Sequence, residues 1–166
     1  MHRDARQLIE TLGLRPHPEG GFFRETWRSN LTATLGRGHG GPEGCRAFGT
    51  AIYYLLAGEE ISRLHRLKAD EVWHLYAGGP LNLHLLDEVR GFRSLQLGQD
   101  IPTGPGFQST VPAGCWFGAS LAVADSFALA GCTLAPGYDP ADFELGDRAH
   151  LLELFPEHEM IIKRLT

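Results

Sequence analysis

Between Gly58 and Gly78 the chain reads GEEISRLHRLKADEVWHLYAG, and three of its side chains, His65, Glu71 and His74, could hold a divalent ion or move protons. Imidazole and carboxylate together suit zinc, manganese, iron or nickel, and a catalytic zinc needs at least three protein ligands beside an open position. The same groups do acid–base work without a metal. An ordinary imidazole, with a pKa of about 6.5, offers both its forms near neutrality, and a neighbouring carboxylate fixes its tautomer. Strand alternation bears on the metal set. After Glu71 a regular strand sends Trp73 to the same face and His74 to the opposite one, so His74 joins only through a bulge. The expectation is either no cofactor or one divalent ion, held by His65, Glu71 and His74.

Those residues need a scaffold of short strands, and the sequence supplies the pattern. Strand-like runs cover Ala47 to Leu56, Ile61 to Leu67, Glu71 to Tyr76, Leu81 to Asp87, Phe92 to Leu97, Phe107 to Val111, Trp116 to Leu121 and Ser126 to Thr133, most of them separated by Gly, Pro or Asp. Regular spacing of this kind indicates an antiparallel sandwich or barrel, whose interior is the natural pocket. The segment HPEGGFFRETWRS reads as a first strand, with Phe22, Arg24 and Thr26 on one face and Phe23, Glu25 and Trp27 on the other. Asn30 to Cys45 is glycine-rich and reads as an exposed loop, disordered at GRGHGGPEG. Helical spacing marks Asp4 to Leu12 before Gly13, and Asp147 to Leu154 and Pro156 to Leu165 read as closing helices. The fold class is therefore all-β with short terminal helices, in one domain spanning 1–166.

The 166 residues carry a net charge of −5 and a pI near 5.9, with the fifteen Lys and Arg scattered. That gives no basic footprint for nucleic acid. No apolar run approaches the ~20 residues of a spanning helix, and the charged start MHRDARQLIE does not resemble a secretory signal. A cytoplasmic protein with no membrane partner is expected. Cys45, Cys115 and Cys132, odd in number and far apart, read as reduced packing thiols. His17, His39, His84, His150 and His158 read as surface or boundary residues.

GFQSTVPAG, from Gly106 to Gly114, repeats the design of a strand closed by a Pro/Gly turn. With the first segment it resembles the cupin superfamily, whose motifs are G-x5-H-x-H-x3,4-E-x6-G and G-x5-P-x-G-x2-H-x3-N. Gly58, His65, Glu71 and Gly78 follow the first with one extra residue before the histidine, and Gly106, Pro112 and Gly114 follow the second without a shift. Leu67, Phe117 and Leu121 stand where that pattern has two metal-binding histidines and an asparagine. More closely, HPEGGFFRETWRS, SRLHRLKADEVWHLYAGGPL, VPAGCW, ALAGCTLAPGYDPADFEL and LFPEHEMIIKRLT resemble the Cupin 5 group. That resemblance implies a double-stranded β-helix, the jelly-roll barrel, usually paired as a homodimer, and links to sugar isomerases, sugar epimerases and small-ligand binding. A homodimer also has a physical motive, because runs such as AIYYLL are apolar on both faces.

The implied reading is a proton-transfer site for a sugar or sugar phosphate, with His65 as base and Glu71 as its orienter or a metal ligand. By analogy with metal-free epimerases of the superfamily, the acid would be a tyrosine among Tyr53, Tyr54, Tyr76 and Tyr138, and Tyr54 is carried forward. Only one of Tyr53 and Tyr54 can face inward on a regular strand. Arg24 and Gln108 are candidates for holding a ligand, and Trp73, Trp116 and Phe117 for stacking against a carbohydrate or nucleotide-like ring, with core packing as the alternative for each aromatic. Phe117 makes the cavity more apolar, which favours flat or hydrophobic ligands. The other outcomes open at this point are a non-catalytic metabolite-binding cupin and a structural dimer whose site is vestigial.

Overall fold

The computed structural model describes residues 2–36, 41–100 and 106–166. Helix α1 (Arg3–Leu12) is followed by strands β1 (Arg15–Pro16), β2 (Phe22–Arg28), β3 (Thr32–Leu35), β4 (Gly44–Ala47), β5 (Thr50–Ala57), β6 (Ile61–Leu67), β7 (Glu71–Gly78), β8 (Leu81–Asp87), β9 (Gly91–Leu97), β10 (Gln108–Val111), β11 (Trp116–Leu121), β12 (Phe127–Leu134) and β13 (Phe143–Leu145). Helices α2 (Arg148–Leu154) and α3 (Glu159–Leu165) close the chain. A six-stranded sheet, ordered β1-β2-β5-β12-β7-β10, faces a five-stranded sheet ordered β13-β6-β11-β8-β9. Every strand pairing within the two sheets is antiparallel, which gives the jelly-roll barrel.

Alternation decides what each strand buries. On β8, Leu81, Leu83 and Leu85 point between the sheets to meet Leu56, Leu75 and Phe117, whereas Leu86 points outward to α2 and α3. On β5, Tyr54 and Leu56 point inward, and Tyr53 and Leu55 point out to α1. The outer face of AIYYLL packs against this chain's own first helix through Leu8, Ile9 and Leu12, with Tyr53 left partly exposed. Gly13 stops α1 in the left-handed region, its N–H returning to Glu10 and Ile9 carbonyls.

Three differences from the sequence expectation concern local geometry. The segment from Asn30 to Cys45 is not simply a loop: β3 and β4 pair across it from Thr32↔Ala47 to Leu35↔Gly44. Its small residues hide the strand signal because they bury little. Residues 37–40 of GRGHGGPEG, with His39, lie outside the described residues, so the disorder expected there is not addressed. In β2 the pairing register with β5 slips between Glu25 and Trp27, so regular alternation ends at Glu25. In β6 the register slips again, because Phe117 pairs His65 while Ala119 pairs Ser62. The extra residue before His65 in the sequence motif is this β-bulge.

Candidate functional site

The β6 bulge is what builds the site. Residues three apart on a regular strand face opposite ways, yet Ser62 and His65 both point between the sheets, 0% and 2% exposed. His65 Nδ1 lies 2.8 Å from the Arg63 carbonyl oxygen. A carbonyl only accepts, so Nδ1 carries the ring hydrogen and Nε2 is left as the basic nitrogen, without a partner among the described residues. Phe117, whose ring centre is 4.0 Å from that of His65, braces the imidazole.

Across the barrel, Glu71 and Trp73 share the inner face of β7, and the indole N–H donates to Glu71 Oε2 at 2.7 Å. With Oε2 accepting, a proton on this carboxyl belongs on Oε1.

A third group comes from outside the two motifs. In HPEGG, Glu19 reaches between the sheets: its Oε2 accepts from Ser62 Oγ at 2.9 Å and lies 3.3 Å from His65 Nδ1. The turn is pinned to β6 by Arg63 N–H donating to the Glu19 carbonyl at 2.9 Å. Gly20 has φ +110°, and a Cβ there would meet the Ile61 carbonyl oxygen at 2.2 Å, so only glycine permits the approach. The signal in the sequence was present: a carboxylate followed by paired glycines marks a close backbone approach.

These groups line a cavity of about 350 Å³ with Tyr54, Phe23, Tyr138, Phe143, Cys132 and Leu67 among its walls. A wider hollow of about 540 Å³, along Arg66, Lys68, Asp142 and Glu144, includes none of these acid–base groups. Burial dominates the electrostatics. It pushes Glu19 up to about 8, with the Ser62 and Arg63 contacts pulling the other way. Burial and then the Glu19 charge push Glu71 up to about 8, and the Trp73 bond opposes them. His65 is held down at about 4 by burial, and His17, a further wall residue, at about 4 by burial and the nearby His65. At neutral pH the floor of the cavity therefore holds neutral His65 and His17 imidazoles and largely uncharged Glu19 and Glu71 carboxyls.

Of the residues singled out from the sequence, His65, Glu71, Trp73 and Tyr54 meet at this cavity, and Phe117 lies behind His65 without lining it. Several expectations are corrected. His74 points to the outer face, bonded to Gln108 Nε2 at 2.8 Å, because the bulge in β7 comes only after it, at the register slip opposite Leu129 and Ala130. Gln108 is on that outer face with it. Arg24 lies over Tyr53, on the side covered by α1. Trp116 is buried beneath α2 and α3 with Arg66 4.5 Å from its ring, since its strand sends Phe117 inward instead. Tyr54 donates its hydroxyl hydrogen to Gly20 O at 2.7 Å, and burial holds its phenol well above the usual range, so it is a poor acid. His17 is a cavity residue and His84 is buried against Ser120, neither being a surface group.

The divalent ion expected at His65, Glu71 and His74 does not fit this donor set. Leu67 and Phe117 occupy the places of two ligands in the superfamily pattern, and His74 faces the other way. Among the described residues no group of three His, Cys, Asp or Glu side chains is arranged to hold an ion. Cys45 is exposed, and Cys115 and Cys132 are buried free thiols. No described helix is long and apolar enough to cross a membrane.

Comparison with known proteins agrees with this architecture. The uncharacterized protein YML079W of Saccharomyces cerevisiae is 30% identical over 146 residues, spanning 82% of this chain and 72% of its own. The solved structure of protein SO0799 from Shewanella oneidensis aligns with a TM-score of 0.87 at 34% identity, over 100% of this chain and 98% of that one. A hypothetical protein from Leishmania major aligns equally well, 0.87 at 38% identity over 98% of each chain. Oxalate decarboxylase of Bacillus subtilis, at 14% identity and a TM-score of 0.55 over 92% of this chain and 37% of its own, shares the fold alone. Residues 6–146 match the Cupin 5 family model, described as Cupin superfamily (DUF985), and the chain belongs to that family.

Proposed function

We propose that the cavity is a metal-free proton-transfer site of the isomerase or epimerase type, acting on a small sugar-like carbonyl compound. One observation carries the reading: His65, its hydrogen fixed on Nδ1, keeps Nε2 free in the same cavity where Trp73 leaves Oε1 of a largely protonated Glu71 to donate. In the forward step His65 Nε2 takes the proton from the carbon next to the carbonyl. The C–H electron pair becomes the C=C bond of an enediol, and the carbonyl π pair moves to oxygen, which receives the Glu71 proton. The His65 imidazolium then returns its proton to the former carbonyl carbon while the neighbouring hydroxyl of the enediol gives its proton to Glu71 and becomes the new carbonyl, which yields the isomer and restores both groups without a co-reactant. Protonation of the first carbon on its opposite face yields the epimer instead.

The test is solvent exchange. Aldoses and ketoses incubated with the protein in D₂O should gain deuterium beside the carbonyl, read by proton NMR. His65→Ala and Glu71→Gln should abolish the gain while unfolding cooperatively. Wild-type protein that labels no sugar refutes the reading.

A second reading, a non-catalytic metabolite-binding protein, draws on the low basicity of His65. A ligand carried through purification and released unaltered favours it. In either case a homodimer is part of the proposal. It rests on exposed Trp27, Leu31 and Phe48 near the base of the β3–β4 hairpin, and sedimentation equilibrium at the monomer mass refutes it.

A further inference from the structure

The mouth of the cavity is chemically unlike its floor. The β2 bulge puts Glu25 and Arg28, three residues apart, on one face, and both line the cavity. Arg28 donates from Nε and Nη2 to the two Glu25 oxygens at 3.0 and 2.7 Å, and from Nη1 to the Tyr138 carbonyl at 3.1 Å. A guanidinium has five N–H donors, so three bonds leave it anchored with two donors to spare. Arg15, on the two-residue strand β1, pairs in register with Phe23, and its guanidinium sits 5.0 Å from that ring's centre. Arg15 lines the same cavity and has no carboxylate partner among the described residues. Arg28 is paired with Glu25 and also feels Asp139, so Arg15 is the guanidinium of the mouth that no carboxylate holds among the described residues.

From this arrangement we infer that the substrate is an anion, carrying a phosphate or carboxylate that Arg15 and Arg28 hold at the mouth while its carbonyl end reaches His65 and Glu71. The inference rests on the proton-transfer reading for the inner end only. Three features favour it together. A guanidinium offers paired N–H groups that match the oxygens of either anion, and a stacked arginine is preorganised for them. The floor, with its carboxyls largely protonated, does not repel a negative ligand at neutral pH. The chain as a whole is at −5, so an anion is held where cations are gathered, and Arg15 and Arg28 bring two guanidiniums to the mouth.

The experiment compares dihydroxyacetone, dihydroxyacetone phosphate and hydroxypyruvate as ligands of the full chain, by titration calorimetry and by the exchange assay. Wild type should bind at least one charged compound tenfold or more tightly than the uncharged one, and which of the two it favours separates phosphate from carboxylate. Arg15→Gln should remove most of that preference, and raising salt should shrink it. Equal binding of all three compounds overturns the inference, and so does a preference that survives Arg15→Gln or ignores salt. His65→Ala should keep the preference and lose exchange, so a protein that discriminates by charge but exchanges nothing sinks the proton-transfer reading alone.

Discussion

Glu71→Gln replaces a buried acid by an amide of the same shape, whose oxygen can still accept the Trp73 N–H, so the variant isolates the charge. In the folded protein the Glu71 carboxyl titrates at about 8 rather than 4.5, chiefly through burial and secondarily through Glu19. The native state therefore binds this proton more tightly than the unfolded chain does. Stability is fully present below pH 4.5 and is lost as pH rises toward about 8, the reverse of an ion-paired carboxylate. From 4.5 to about 8, at ~1.4 kcal/mol per pH unit, the loss approaches about 5 kcal/mol for an isolated carboxyl. Repulsion between Glu71 and Glu19 is mutual, so removing one also relieves the other and their contributions do not add.

The variant should match wild type near pH 5, where Glu71 is neutral, and exceed it in stability by several kcal/mol near pH 9, water entry trimming the full figure. Urea unfolding at pH 5, 7 and 9 and constant ionic strength measures this. The acid limb is common to both proteins. His17, His65 and His84 are held at about 4 against 6.5, so they withdraw stability as pH falls from 6.5 toward 4 and cancel in the difference. A difference that is flat with pH, or a variant less stable at pH 9, refutes the reasoning, because it means a counter-charge holds Glu71 ionised.

Three further substitutions probe separate parts of the site. Gly20→Ala forces a Cβ against the Ile61 carbonyl at φ +110° and should cost about 2–3 kcal/mol, roughly 5–10 °C in Tm by calorimetry; an unchanged Tm refutes the fixed turn. Trp73→Phe removes the indole donor bound to Glu71 and should push that carboxyl still higher, with a loss of about 1–3 kcal/mol that widens above pH 7 in urea unfolding. Trp116→Ala opens a void beneath α2 and α3 and should cost about 3–5 kcal/mol, while affinity for the ligands tested above stays at the wild-type level; weakened binding would mean the indole reaches the cavity after all.

The barrel was legible because period-two alternation is a direct consequence of strand geometry. The limits of β6, β8 and β11 agree with those read from the sequence, and so does the shared face of Glu71 and Trp73. What alternation cannot carry is a departure from itself. Extending it unbroken along β2 separates Glu25 from Arg28, and only the register slip against β5 unites them. Glu19, Arg15 and His17 come from a turn and a two-residue strand, where the decisive facts are a positive φ and a backbone contact with Ile61 across the fold. Alternation showed that only one of Tyr53 and Tyr54 could face inward without saying which, and the role of Tyr54 was hidden because the carbonyl that takes its hydrogen belongs to that same turn.

The two positions that depart from the superfamily's metal-binding pattern explain the electrostatics of those that keep it. A cation beside Glu71 would draw its pKa down and leave a carboxylate. Leu67 on the wall and Phe117 against His65 put apolar atoms there instead, and a carboxyl among apolar atoms is held as a neutral acid. The consequence reaches His65. The Nδ1 hydrogen directed at Arg63 O is the tautomer a metal-ligating imidazole would also need, and without a cation the Nε2 lone pair is left for a proton. The bulge that adds one residue to β6 is what allows the imidazole, Ser62 and Glu19 to meet. The insertion and the apolar replacements thus act in one direction, from a site suited to Lewis-acid chemistry toward one suited to proton donation and acceptance. Restoring a histidine at either position alone would bring the set with His65 and Glu71 to three, the least a catalytic zinc needs, but would place the new imidazole among apolar atoms beside a protonated carboxyl, so metal binding there would have to displace that proton.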